Sequence, residues 1–260
     1  MENINISELT SKEAIQKFAK REKLADNLAK DYYHPQEDFL IVSDNPPVFV
    51  VSDGVTLDYT KLIKDKVKYP DPSPAGDVSK IFCYTVARQV KEKYDTFTEK
   101  DIADVFKYAN GKVRKYNERA GKSDISGNIT GYYSATGSFA IIKDNQAYWA
   151  SICDSFIAHF DREMNLKFTT KGVCHPYAVI NGEERMVNHL ESGVLNLENG
   201  DRVFVFTDGF EHYMVNSDFL ELFKKWDKNL KERIAGFSEK MNLIDPEKYG
   251  HERSLIAVLV

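Results

Sequence analysis

Several things are scarce in this chain of 260 residues, and each scarcity removes a class of protein. Cysteine occurs three times, at Cys83, Cys153 and Cys174, an odd number without a C-x-x-C pair. Neither a disulfide framework nor a zinc knuckle is suggested, and the expectation is free thiols in a reducing, cytoplasmic setting. No apolar run approaches the ~20 residues needed to cross a bilayer. The first residues, MENINISELTSKE, are polar and acidic and lack the basic-then-apolar order of a signal peptide. Excess positive charge is also missing: the formal net charge is −5, which argues against a nucleic-acid backbone as the main partner. No membrane or nucleic-acid partner is expected.

What is present is ordinary globular material, 42% hydrophobic and 29% charged, at a length suited to one large domain over residues 1–260. Residues 1–33 read as a helical segment, with a Thr10–Glu13 capping box and an apolar stripe through Ala14, Phe18, Leu24, Ala25, Leu28 and Ala29. A strand pair follows, 38–42 and 48–51, around a turn at Asp44-Asn-Pro-Pro47. Residues 56–76 look like an irregular loop. Helices are expected at about 77–94 and 98–120, a β-rich stretch at roughly 128–208, a helix over 217–241 and a last strand at 254–260. Clustered strands without β-α alternation favour antiparallel sheets with helices packed outside them.

One frame occurs twice. Val48-Phe-Val-Val-Ser-Asp-Gly-Val55 and Val203-Phe-Val-Phe-Thr-Asp-Gly-Phe210 are each four apolar β-formers, a hydroxyl residue, Asp-Gly and another apolar residue. The apolar runs suit strands buried on both faces, so each aspartate sits where core meets surface and needs a positive partner. A single Asp-Gly after a strand is usually only a turn. Two in one frame, with Asp154 ending a third strand-like run, Glu37 and Asp38 opening the first strand and His251 and Glu252 preceding the last, point to carboxylates converging on cations. Oxygen donors suit magnesium or manganese. His159, His175, His189 and His212 share no ligand spacing and read as ordinary histidines.

These residues resemble the type 2C metal-dependent serine/threonine protein phosphatases (PPM). Gln36-Glu-Asp-Phe39 is similar to that family's N-E-D-x element, Val50-Val-Ser-Asp-Gly-Val55 to its V-x-D-G element and Ile152-Cys-Asp-Ser155 to its G-D-S element. The stretch from Asn199 to Phe210 is similar to its G-D-x-(apolar)-T-D-G element, and that from Gly250 to Val258 to its closing D-(N/D)-x-(T/S) strand. The elements fall in family order across 36–260.

The resemblance implies an α+β fold, a four-layer α-β-β-α sandwich with two central antiparallel sheets, and a site for two Mg²⁺ or Mn²⁺ ions with room for a third. Carried over, Asp53 bridges both ions and the Gly54 carbonyl binds one. Asp208 binds the other, Glu37 and Asp38 hold bound waters, and Asp154 with Asp208 hosts the third ion. Asp53, Asp208 and Asp38 would be catalytic, acting on phosphoserine or phosphothreonine in a phosphoprotein substrate, with a cognate kinase as a possible partner. The alternatives are a weak or inactive regulatory module and a small-metabolite phosphatase. His251 stands where the family has an aspartate, leaving His251 or Glu252 to complete the shell. Thr56 replaces a glycine, Cys153 replaces another, and no arginine matches the family's phosphate-binding one.

Overall fold

The computed structural model describes residues 1–23, 34–65, 67–122, 132–175 and 178–260. Ten strands form two five-stranded sheets. The first contains β2 (Phe39–Asp44), β3 (Pro47–Gly54), β4 (Ala135–Lys143), β5 (Gln146–Ile152) and β8 (Glu191–Asn196), in that spatial order. The second has the order β1 (Glu2–Glu8), β10 (Arg253–Leu259), β9 (Arg202–Phe206), β6 (Phe156–Phe160) and β7 (Leu166–Thr169). Every strand pairing is antiparallel.

Three apolar interfaces divide this stack into four layers. Between the sheets, Phe49, Val51, Ala140, Trp149, Ile157, Val203, Val205, Ile256 and Val258 interdigitate. Outside the first sheet, α2 (Pro74–Lys93) and α3 (Glu99–Arg119) bury Val78, Phe82, Val86, Ile102, Phe106 and Val113 against Val48, Val50, Phe139 and Ile141. Outside the second, α4 (Leu230–Ile244) and three shorter helical turns cover Phe204, Phe206, Leu255 and Ala257 with Tyr213, Phe219, Phe223, Leu230 and Ile234. The strand residues therefore alternate between an inner and an outer core, which is why the runs Val48–Val51 and Val203–Phe206 carry no polar residue. The α-β-β-α sandwich expected from the resemblance is the fold observed.

The boundaries expected for the first hairpin, the two long helices and the last strand hold to within a few residues. The N-terminal segment does not. Glu2–Glu8 is a strand, paired with β10 from Glu2↔Leu259 to Glu8↔Arg253. The helix α1 covers only Lys12–Arg21, and its N-cap is Ser11, whose hydroxyl accepts the Ala14 N–H at 3.1 Å. Alternation of Ile4 and Ile6 with Asn3 and Asn5 is a period-2 pattern too short to stand out beside a helical stripe. The helical reading of residues 24–33 lies outside the described residues. The region 217–241 is also not one helix but Ser217–Glu221, a helical turn at Leu222–Lys224, and α4.

A second correction concerns the cysteines. Cys153 and Cys174 form a disulfide, and only Cys83 is free, on the buried face of α2. Partners 21 residues apart, on two different connections, leave no local signature.

The antiparallel alternation decides where functional groups gather. The C-terminal ends of β3 and β5 and the N-terminal end of β2 share one edge of the first sheet. The C-terminal end of β9 and the N-terminal end of β10 share one edge of the second.

Candidate metal centre

The acidic residues singled out from sequence sit on these two edges. Asp53 is the penultimate residue of β3, still in register with Thr136 of β4. Asp208 follows β9 and opens a helical turn, Asp208–Phe210. Both line one cavity of about 320 Å³, together with Glu252. Asp38, Glu252 and Asp154 complete the group, since their charges bear on Asp53 alongside that of Asp208. Five carboxylates from five strand ends thus bear on one another at the seam between the sheets, three of them lining one cavity.

Packing them together is costly, and their protonation shows it. Burial, reinforced by Asp38, Asp208, Glu252 and Asp154, holds the Asp53 carboxyl well above the usual carboxylate range. Burial and the Asp154 charge push Asp208 up to about 7. Burial pushes Asp38 up to about 6, against hydrogen bonds that favour its charged form, and burial with the Asp38 charge takes Glu252 to about 9. Asp154 is raised as well, by burial first. Groups of like sign pressed together this way are what a bound cation would relieve.

A test of fit comes from unpaired atoms. Asp38 Oδ1 and Asp154 Oδ1 are buried without a hydrogen-bond partner. A buried acceptor left alone costs about 1–3 kcal/mol. These are hard oxygen donors in an all-carboxylate group, and a divalent cation of the Mg²⁺ or Mn²⁺ kind fits them.

Hydrogen bonds fix the rest. Thr207 Oγ1 donates to Asp38 Oδ2 at 2.8 Å and accepts the Ser254 N–H at 2.9 Å, linking β9, β10 and the start of β2 in one buried chain. Glu252 accepts the backbone N–H groups of Glu37 at 2.9 and 3.1 Å and of Asp38 at 3.0 Å. Its own N–H donates to Thr10 Oγ1 at 3.1 Å.

Glu37 is fully buried, but its carboxylate accepts hydroxyl bonds from Tyr69 (2.7 Å), Thr56 (2.9 Å) and Ser73, with His34 Nε2 at 3.4 Å. It is held by this hydroxyl pocket rather than left open toward the cavity. Glu252 lies inside the carboxylate group. His251 stands at the cavity rim, exposed, with Nε2 2.6 Å from the Glu247 carbonyl oxygen.

The two Asp-Gly glycines answer to crowding rather than to a sharp turn. A Cβ on Gly54 would lie 2.7 Å from the Ala75 carbonyl carbon, and one on Gly209 would lie 2.1 Å from the Glu252 carbonyl oxygen. Neither has a positive φ.

Sequence reasoning missed several contributors. Ala14, Ile15 and Phe18 of α1 form an apolar wall of the cavity, with Arg21 and His34 beside them. Burial lowers the pKa of His34, which neighbouring Glu37 partly offsets. The flanking hydroxyls were visible in the repeated frame, but not that Thr207 reaches the opposite sheet.

Comparison with known proteins bears on the family and the fold. The sequence pattern described as Protein phosphatase 2C matches residues 25–243. No curated protein matches the sequence. Among solved structures, a bacterial serine phosphatase is 12% identical, with 100% of this chain and 98% of that chain covered at a TM-score of 0.60. PppA, described as a key regulatory component of T6SS in Pseudomonas aeruginosa, is 12% identical over 100% and 97% at 0.63. The catalytic domain of the serine threonine protein phosphatase PstP, in complex with two manganese ions, is 12% identical over 100% and 98% at 0.58. At such identities the likeness is one of fold.

Proposed function

Since the chain belongs to the protein phosphatase 2C family of metal-dependent phosphatases, we propose that it hydrolyses phosphoserine or phosphothreonine in proteins. The observation that carries this reading is the meeting of Asp53, Asp208, Asp38, Asp154 and Glu252, two of them with an unpartnered buried oxygen. Asp53 and Asp208, through their carboxylates, and Gly54, through its carbonyl, would hold two Mg²⁺ or Mn²⁺ ions. Bound there, the ions supply an activated water and offset the charge of the phosphoryl oxygens.

The chain's own groups prepare that chemistry. Asp38 is fixed at Oδ2 by Thr207, which leaves Oδ1 to accept a hydrogen bond from a water in the cavity. Glu252, rather than His251, gives the second sheet its further carboxylate, because its side chain already faces the group. This placement also favours an active enzyme over a binding-only module. Asp154 with Asp208 would take a third ion. Glu37 acts through hydroxyls, bracing the strand that carries Asp38. The apolar wall of α1 would flank the substrate chain, and Arg21, which also lines the cavity, would offer a cationic group to a phosphate.

The experiment is hydrolysis of an aryl phosphate and of a phosphoserine peptide by the purified chain, before and after chelation. Activity should vanish with EDTA and return with Mn²⁺ or Mg²⁺; turnover that persists after complete chelation overturns the reading. Within it, Glu252→Gln should weaken Mn²⁺ half-saturation by about 10–100-fold, as losses near a metal commonly do. His251→Asp should change it little.

A further inference from the structure

The disulfide lies against the metal centre, and three features of it belong together. Cys153 is the residue immediately before Asp154, and its backbone is left-handed, with φ at 58°. Glycine adopts that conformation freely, while a residue with a Cβ is strained in it. Its partner, Cys174, sits on the exposed segment that follows β7, whereas Cys153 itself is buried. The neighbouring Asp154 carries one of the two unpartnered buried oxygens of the centre.

We propose that Cys153–Cys174 is a thiol–disulfide exchange site whose substrate is a dithiol reductant or a low-molecular-weight disulfide, and that its state sets how Asp154 is presented to the metal centre. In reduction, a thiolate of the dithiol attacks the accessible Cys174 Sγ. The bond to Cys153 breaks, and Cys153 leaves as a thiolate that takes a proton from solvent. The reductant's second thiol then attacks the mixed disulfide, frees the Cys174 thiol and ends as the reductant's own disulfide. Two electrons and two protons enter the chain. Oxidation by oxidised glutathione reverses this through two exchanges and releases two molecules of glutathione.

The structural consequence follows from the left-handed backbone. While the bond is closed, Cys153 is kept in that conformation and Asp154 is kept at the seam. Once it opens, residue 153 relaxes toward a right-handed or extended conformation, Asp154 turns with it, and the segment 171–175 loses its tie to the end of β5. Its remaining described anchors include the Lys171 N–H bonds to the Glu191 carboxylate, at 3.0 and 3.1 Å. The effect on metal rests on the proposed function; the exchange chemistry does not.

The test uses the whole chain, equilibrated with oxidised glutathione or with a phosphine reductant that leaves Mn²⁺ free. Alkylation under denaturing conditions followed by mass measurement should find one labelled thiol, Cys83, in the oxidised protein and three in the reduced one. Calorimetric Mn²⁺ titration should show one class of site weakened about tenfold on reduction. Hydrogen exchange across 171–175 should speed up. Cys174→Ser should behave as the reduced protein under both conditions. Cys153→Gly should be redox-insensitive but bind Mn²⁺ as the oxidised protein does, since glycine keeps the left-handed backbone unaided. A pair that resists excess dithiol in the native protein overturns the proposal, as does equal Mn²⁺ affinity in the two states. If Mn²⁺ affinity shifts as expected while neither state hydrolyses phosphate esters, the redox site stands and the phosphatase reading falls.

Discussion

The repeated frame puts nearly the same eight residues at two strand ends, yet the two ends do different work. In β3, the hydroxyl before the aspartate closes on its own sheet: Ser52 Oγ donates to the Thr136 carbonyl of neighbouring β4 at 2.6 Å. In β9, the matching hydroxyl crosses sheets, with Thr207 donating to Asp38. Asp53 is still within its ladder, whereas Asp208 begins a helical turn. One end is a rigid post and the other a coupling. An identical local motif acquires its role from which edge lies opposite, a property of the sandwich rather than of the motif.

The sharpest way to break this comparison is at the aspartates. Asp53→Asn and Asp208→Asn should each lower Mn²⁺-dependent turnover beyond the ~10–100-fold typical of an outer partner's loss, with Asp53→Asn the more severe. Asp53 bears the charge of four other carboxylates. Steady-state kinetics on an aryl phosphate decides it; near-wild-type turnover in either variant would remove that residue from the metal set.

Next come the hydroxyls. Thr207→Val should weaken Mn²⁺ binding by about 10-fold or more, because it strands both Asp38 and the Ser254 N–H. Ser52→Ala should cost about 1 kcal/mol of stability and leave Mn²⁺ affinity alone. Equal effects in a metal titration would erase the distinction between post and coupling.

A smaller contrast lies in the glycines. Gly209→Ala meets the Glu252 carbonyl oxygen and Arg253, on the strand that carries a site carboxylate, while Gly54→Ala meets Ala75 at the start of α2. Both should destabilise by about 1–3 kcal/mol in denaturant unfolding and weaken Mn²⁺ binding, Gly209→Ala by displacing Glu252 and Gly54→Ala by shifting its own carbonyl.

The mildest effect is on pH dependence. Asp38, Asp208 and Glu252 titrate near 6, 7 and 9 in the metal-free fold, against about 4 for unfolded carboxylates. Between those values the fold binds more protons than the unfolded chain. Their stabilisation is therefore complete below about pH 4 and is lost as pH rises through about 6 to 9. Manganese, which favours the ionised carboxylates, should raise the melting temperature more at pH 8 than at pH 5.5. Calorimetry of metal-free and Mn²⁺-loaded protein reads that difference directly, and an equal rise at both pH values would count against the shared carboxylate site.

Much of this site was legible in the sequence because its aspartates close contiguous apolar runs, and such runs reveal strands without any tertiary knowledge. Asp53, Asp208 and Asp154 close such runs, Asp38 and Glu252 open others, and the two long helices showed in their apolar stripes. What stayed hidden depends on contacts across the fold. The strand Glu2–Glu8 is defined by β10, some 250 residues away, and its two isoleucines say little alone. Which of His251 and Glu252 turns inward follows from the N–H groups of Glu37 and Asp38, which only the folded seam brings opposite. The pairing of Cys153 with Cys174 needs the β7 connection to pass β5, and the helix α1 became a cavity wall only through its packing.

The position of β10 between β1 and β9 has a consequence for how the protein is made. Among the described residues, β1 is an edge strand whose hydrogen-bonding neighbour, β10, lies some 250 residues further along the chain. Until Arg253–Leu259 emerges, β1 has no partner, β9 lacks one of its two neighbours, and Glu252 cannot reach the N–H groups of Glu37 and Asp38. The first sheet, drawn wholly from residues 39–196, can assemble before Arg253–Leu259 is available; the second cannot. Manganese capture by a site that includes Glu252 would therefore wait on closure of the second sheet.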